Sequence, residues 1–143
     1  MGTNYNDNHK PSIGEVYLVK FTGSDNEQQG LRPCVIFQNA VGNEHSPNVV
    51  VLPITSSIKH SVQPTHVVLP AKDTGLMMDS MVLCENPKTL SKKKLGRYLT
   101  TIPAKYLKKI AEAQVLASSA IAFLDIDALV RVWRQSQALN AIA

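Results

Sequence analysis

The chain has 143 residues, of which 44% are hydrophobic and 18% are charged. These values suit one domain of roughly 100 residues with extended ends, and they exclude a chain that is disordered throughout. Charge is uneven: residues 1–87 carry five Lys/Arg against eight Asp/Glu (−3), whereas residues 88–143 carry ten against three (+7).

The sequence pattern of the first two-thirds of the chain predicts short β-strands. Residues 1–12 are polar and are expected to form a flexible tail that does not resemble a secretory signal. Apolar residues then alternate with polar ones or form short apolar runs, as β-strands do. Strands are predicted at Gly14–Phe21, Cys34–Gln38, Asn48–Ile54, His66–Leu69, Ser80–Cys84 and Arg97–Thr100. Turn-forming stretches such as VGNEHSP and AKDTG separate them, so an antiparallel sheet or small barrel without intervening helices is expected.

A helical period begins after residue 100. Thr101 is a candidate N-cap and Pro103 fits a first helical turn. An apolar stripe follows at three- and four-residue intervals, through Tyr106, Ile110, Ala113, Ala117, Ala120, Ile121 and Leu124. Asp125 or Asp127 is expected to cap a further helix that carries Trp133. The fold class is therefore predicted to be α+β, with the helices late in the chain.

The segment EQQGLRP, residues 27–33, leads directly into an apolar strand. The proline after Arg32 restricts the backbone of that arginine to an extended conformation. A guanidinium held at a rigid strand entrance suits a phosphate, because it is permanently charged and donates two hydrogen bonds at once. The alternative is a structural ion pair, with Glu27 as the nearest acidic candidate.

Polar residues also end two later strands. The sequence PITSS places Thr55 after a run of Val and Leu, and LCENP places Glu85 and Asn86 after another. Strand ends often present functional groups, but such residues also simply open turns. The four histidines show no paired spacing and no metal-ligand motif, and Cys34 and Cys84 lack CxxC or Cys/His spacing. Both thiols are therefore expected to be structural in a reducing cytosol.

Taken in order, these segments resemble the MazF/PemK toxin family, closest to the MazF branch common in Gram-positive bacteria. The resemblance covers roughly Ile13 to Leu124 and is carried by GEVYLV, EQQGLRP, QNAVGNEHSP, LPITSSI, QPTHVVL and DSMVLCENPKTL. It implies an α+β fold built on a small SH3-like antiparallel β-barrel with C-terminal helices. The expected organisation is a tail at 1–12, a toxin domain at 13–124 and a helical extension at 125–143.

The same resemblance implies cleavage of single-stranded RNA without a metal or other cofactor. Carried over residue by residue, the family's catalytic arginine falls on Arg32, its threonine on Thr55 and its loop glutamate on Glu27. The acidic residue proposed as catalytic in PemK-type members falls on Glu85, but an arginine that assists there falls on Leu83. Arg32 with Thr55 is therefore the preferred pair, and the candidates for RNA binding are Gln28, Ser80, Glu85, Asn86 and Phe21, the last also a candidate for core packing.

The implied partners are an RNA substrate, a cognate MazE-like antitoxin and a second copy in a homodimer, with operator DNA reached only through the antitoxin complex. A cytoplasmic location without membrane attachment is expected. Two other readings stay open: a non-enzymatic CcdB-like toxin that poisons gyrase, and a nuclease-dead regulator that binds the antitoxin. The CcdB-like family uses a tryptophan near its extreme C-terminus, whereas ten residues follow Trp133 here.

Overall fold

A computed structural model describes residues 10–21, 30–58 and 63–142 of the chain. Seven antiparallel strands form the body of the fold: β1 Glu15–Phe21, β2 Gly30–Ile36, β3 Asn48–Thr55, β4 His66–Leu69, β5 Ser80–Leu83, β6 Lys88–Ser91 and β7 Leu95–Thr101. Four helices accompany them: α1 Ala40–His45, α2 Ala71–Thr74, α3 Ala104–Ala117 and α4 Ile126–Ile142. The α+β class and the late position of the long helices are thus confirmed.

Strand β3 is the hub of the sheet. The strand order is β4-β5-β3-β2-β1-β7, and β6 also pairs with β3. The first half of β3, from Asn48 to Val51, lies beside β6, while its last two residues, Ile54 and Thr55, lie beside β5. Its middle pairs with β2, where Cys34 stands opposite Pro53. One continuous strand therefore joins both parts of the sheet.

Two hydrophobic clusters cover the two faces of this sheet, because successive side chains of a strand point to opposite sides. The first cluster includes Val16, Val35 and Ile54, and α3 packs on it through three buried side chains, Tyr106, Ile110 and Ala113. The second cluster consists of Tyr17, Val19, Cys34, Ile36, Val49, Val51 and Leu95. The alternating side chains of the strands are thus buried in a hydrophobic cluster on each face of the sheet.

Several predicted boundaries are wrong. Thr101 is still part of β7, and Pro103 is the residue before α3, without a capping side chain. The apolar stripe also breaks, because α3 ends at Ala117 and Ser119 takes a positive φ of 59°. As a result Ile121 is 55% exposed instead of packing on the sheet. Asp125, in contrast, does cap the next helix: its carboxylate accepts a hydrogen bond from the backbone of Ala128 at 3.0 Å.

The connections between strands hold short helices that were predicted as turns. Asn39 caps α1 by accepting a hydrogen bond from the amide of Gly42 at 2.8 Å. Gly75 ends α2 in the left-handed conformation, with φ 75°. Strand β6 was also missed, because its sequence KTLS carries a single apolar residue. Among the described residues, no helix has the length and apolar content needed to cross a membrane.

Lys92 is a structural residue at the start of the basic stretch KKK. It is only 8% exposed, and its ammonium group donates hydrogen bonds to the carbonyls of Gly42 (3.1 Å) and Asn43 (2.6 Å). Burial is the main cause that lowers its pKa. A cation at these carbonyls stabilises the end of α1, as positive charges do at helix C-termini.

We expect Lys92→Met to destabilise the fold, because it keeps the aliphatic length but leaves both carbonyls without that donor. The expected loss is about 1–3 kcal/mol in the free energy of unfolding, measured by urea denaturation. Lys93→Met is the matched control, since Lys93 is exposed, and it should change stability by less than about 0.5 kcal/mol. Equal stability of the two variants would contradict this role.

Candidate functional site

Arg32 and Thr55 lie on one face of the sheet, at the same end of the β2–β3 pair. Cys34 stands opposite Pro53, and Arg32 and Thr55 are each two residues further along their strands in that direction. Because residues two apart share a face, Arg32 lies on the side of Cys34, and Thr55 on the side of Val51. The two side chains therefore share the end of the second hydrophobic cluster.

Arg32 lies within β2 without an ion-pair partner among the described residues. The residue is half-buried and stands opposite Val19 of β1. Burial raises the pKa of the Cys34 thiol to about 12, and the positive charge of Arg32 partly opposes that shift. This coupling agrees with a guanidinium on the Cys34 side of the sheet.

The same face continues across β5 and β4. Thr55 pairs with Met81, which pairs in turn with Val68, and Val68 is 50% exposed. His66 lies two residues from Val68 on the same side, opposite Leu83. Its Nε2 is 2.8 Å from a carboxylate oxygen of Glu85. From strand spacing and rise, the backbones of His66 and Thr55 are on the order of 12 Å apart.

The His66–Glu85 pair was not predicted. Its partners come from β4 and from the turn after β5, and sequence alone does not give the register that brings them together. The His66 side chain is 12% exposed and that of Glu85 is 34% exposed. Glu85 and Cys84 also line a cleft of about 370 Å³ beside the end of α3. The structure thus links Glu85 to a histidine whose backbone is on the order of 12 Å from that of Thr55.

A second, basic cleft is lined in part by Val19, the residue opposite Arg32 on β1. Its volume is about 170 Å³, and its lining includes Val19, Phe21 and the three lysines Lys20, Lys88 and Lys94. Phe21 is half-buried and packs against the second hydrophobic cluster, as its alternative interpretation required. The cleft therefore combines positive charge with an aromatic side chain of β1, the strand that pairs with the strand of Arg32.

The other predicted site residues are placed differently. Glu27 and Gln28 lie outside the described residues. Ser80 is 6% exposed and donates its hydroxyl to the carbonyl of Met78 at 2.9 Å, so its burial argues against contact with RNA bases. Asn86 is exposed in the turn after β5.

The two cysteines are free and buried. Burial raises the pKa of both thiols to about 12, and for Cys84 the nearby charge of Glu85 acts in the same direction. A thiol with so high a pKa is a poor nucleophile at neutral pH. Within the ranges that the structure describes, no three His, Cys, Asp or Glu side chains converge in a way that could hold a metal ion.

This arrangement is suited to an anion that carries a phosphate. Arg32 supplies a permanent charge, Thr55 supplies a hydroxyl on the same face, and the lysine-lined cleft beside Arg32 extends the positive surface. Fixed donors of this kind stabilise negative charge that develops during a reaction.

Comparisons with known proteins find similar sequences and similar folds. The family model described as "PemK-like, MazF-like toxin of type II toxin-antitoxin system" matches residues 12–116. "Endoribonuclease EndoA" of Bacillus subtilis (strain 168) is 35% identical over 113 residues, which cover 77% of this chain and 96% of that protein.

Two solved structures from mycobacterial species are also similar. An endoribonuclease is 25% identical with a TM-score of 0.65, and the match covers 80% of this chain and 96% of that one. An endoribonuclease in complex with its cognate antitoxin is 28% identical with a TM-score of 0.64, over 76% of this chain and 95% of that one. These likenesses confirm the predicted fold.

Proposed function

Because this chain belongs to the PemK-like, MazF-like toxin family of type II toxin–antitoxin systems, we propose how it cuts RNA. It is a MazF-like endoribonuclease toxin. Its substrate is single-stranded RNA, which it cleaves at a short sequence without a metal ion. The observation that carries this mechanism is the shared position of Arg32 and Thr55 on one face at one end of the β2–β3 pair.

The nucleophile is the 2′-hydroxyl next to the scissile phosphate. Its attack on phosphorus forms a new P–O bond and breaks the bond to the 5′ oxygen, which takes a proton from a solvent water. The products are a 2′,3′-cyclic phosphate and a 5′-hydroxyl. Negative charge grows on the phosphoryl oxygens during this step, and Arg32 stabilises it by donating from a fixed position. Thr55 donates to a phosphate oxygen and helps to align the attack.

A carboxylate accepts the proton of the 2′-hydroxyl. Glu27 is the first candidate and Glu85 the second. Glu85 is hydrogen-bonded to His66, whose backbone is on the order of 12 Å from that of Thr55, and this supports a place along the RNA groove for Glu85. Arg32 is a poor proton donor, because its ordinary pKa lies far above neutral pH and proton transfer works best near the operating pH.

RNA binding is proposed to use the lysine-lined cleft on the face of Arg32 and Thr55. Lys20, Lys88 and Lys94 contact the phosphate backbone, and the rim of Phe21 lies beside them. Gln28 and Asn86 read base edges with their amide groups. Ser80 is left out of this set because its hydroxyl is already used inside the fold.

The proposed partners follow from the family. A homodimer deepens the groove, and a cognate MazE-like antitoxin inhibits the enzyme, as the complex of the mycobacterial relative with its cognate antitoxin suggests. Operator DNA is contacted only through the antitoxin complex. The proposed location is the cytoplasm, where both RNA and antitoxin are made.

The test is cleavage of a long single-stranded RNA in the presence of EDTA, followed by analysis of the fragment ends. We expect full cleavage, with 2′,3′-cyclic phosphate and 5′-hydroxyl ends. Fragments with 5′-phosphate and 3′-hydroxyl ends would require water as the nucleophile and would refute the mechanism. Absence of cleavage by a folded protein would favour the nuclease-dead regulator, and inhibition of gyrase instead would favour the CcdB-like alternative.

A further inference from the structure

The C-terminal part of the chain exposes an unusual amount of apolar surface. The family match ends at residue 116, and α4 lies entirely beyond it. Among the side chains there, Phe123 is 88% exposed, Trp133 58%, Ile126 53% and Leu129 49%. Large exposed apolar patches on a folded protein mark sites of interaction. This surface is therefore expected to be covered in the working molecule.

The apolar residues of α4 form one stripe. Ile126, Val130 and Trp133 follow each other at intervals of four and three residues, so they lie on one side of the helix. Asp127 and Arg134 are seven residues apart, or about two turns, which places both on the same edge of that stripe. Neither of these charged residues forms an ion pair with another described residue.

We propose that α4 binds α4 of a second copy of this chain in an antiparallel helix pair. Reversing one helix sets the same edges of the two stripes against each other. Asp127 of one copy then faces the partner's Arg134, and the symmetry of the pair repeats this contact. In the same register Val130 packs against the partner's Trp133, as apolar residues pack between paired helices. Each α4 helix thus supplies both kinds of residue that the ionic and apolar contacts of the pair require.

The charges of Asp127 and Arg134 favour a second copy of this chain, in antiparallel orientation, as the partner of α4. A parallel pair would set Asp127 level with Asp127 and Arg134 level with Arg134, so only the antiparallel arrangement pairs opposite charges. An unrelated partner would have to supply its own acidic and basic groups, whereas a second copy supplies them by symmetry. This inference concerns association alone and does not depend on the proposed cleavage mechanism.

The test uses Trp133, the single tryptophan of the chain, as a probe in the full-length protein. With increasing concentration, its emission should shift to the blue as the ring leaves water. Asp127→Arg and Arg134→Asp should each weaken this transition roughly tenfold, because two attractive contacts become repulsive. An equimolar mixture of these two variants, and separately the double variant, should restore it.

Gln135→Arg is the matched control, because residue 135 lies opposite the stripe and should not affect the transition. Circular dichroism will show that α4 remains helical in each variant. No concentration dependence of Trp133 emission, no rescue in the mixture, or a blue shift that appears only when the antitoxin is added would overturn the proposal. RNA cleavage measured on the same samples reports the proposed function separately.

Discussion

Arg32→Ala is expected to lower the rate of RNA cleavage by about 100- to 1,000-fold, the usual cost of removing one preorganised donor to a developing oxyanion. This corresponds to roughly 3–4 kcal/mol of lost transition-state stabilisation. The loss arises because the permanent positive charge of Arg32 would no longer stabilise the negative charge that grows on the phosphate oxygens. Single-turnover cleavage of a short RNA with one site measures the effect.

Two further observations make the Arg32 experiment decisive. Arg32→Lys should recover little of the rate, because a lysine ammonium does not reproduce the two parallel donors of a guanidinium. Each variant must also keep its fold and assembly, tested by circular dichroism and sedimentation, since Arg32 lies within β2. A folded Arg32→Ala protein that cuts at the wild-type rate would exclude this residue from the chemistry.

Thr55→Val is expected to lower the cleavage rate by roughly 10- to 100-fold, because a hydrogen bond to a charged group contributes about 1.5–3 kcal/mol. Valine keeps the branched shape, so lost packing at the end of β3 does not explain such a decrease. The hydroxyl oxygen also accepts a hydrogen bond from the amide of Ser57 at 3.1 Å. Thr55→Ser is therefore the control, since it keeps the hydroxyl and should retain most of the rate.

Glu85→Gln provides the contrast for both variants. If Glu85 only lines the groove, this substitution should leave most of the rate intact, because glutamine keeps the shape of the side chain. A folded but inactive Glu85→Gln protein would instead move the proton transfer to the His66–Glu85 pair. In that case Glu85 would replace Glu27 as the proposed proton acceptor, and the chemistry would follow the PemK-like arrangement.

Sequence alone predicted the strands because their apolar residues alternate strongly. The run from Gly14 to Phe21 fills both clusters of the core in turn, so its pattern reflects burial directly. The sequence does not predict strand β6, because only one of its four side chains is apolar and the strand is stabilised by pairing with β3. The early end of α3 also has no clear signal, since Ser118 and Ser119 occur within helices as well as after them.

The site was only partly predictable for a similar reason. Arg32 and Thr55 stand in recognisable motifs, so the resemblance to a family identifies them without knowledge of how their strands pair. His66 carries no motif, and its contact with Glu85 exists only through the β4–β5 register. Ser80 looked like a polar strand residue available for binding, but burial at the start of β5 uses its hydroxyl inside the fold.

The hub position of β3 has a consequence for how such enzymes diversify. Alignment of Arg32 with Thr55 depends on the pairing of two strands and not on the length of the segment between them, residues 37–47, which holds α1. Insertions in that connection are therefore compatible with an unchanged centre. One residue added within β3 between Pro53 and Thr55 would instead turn Thr55 to the opposite side of the sheet. Variation in sequence and length can therefore accumulate in the connection 37–47. The end of β3 tolerates almost no change in length.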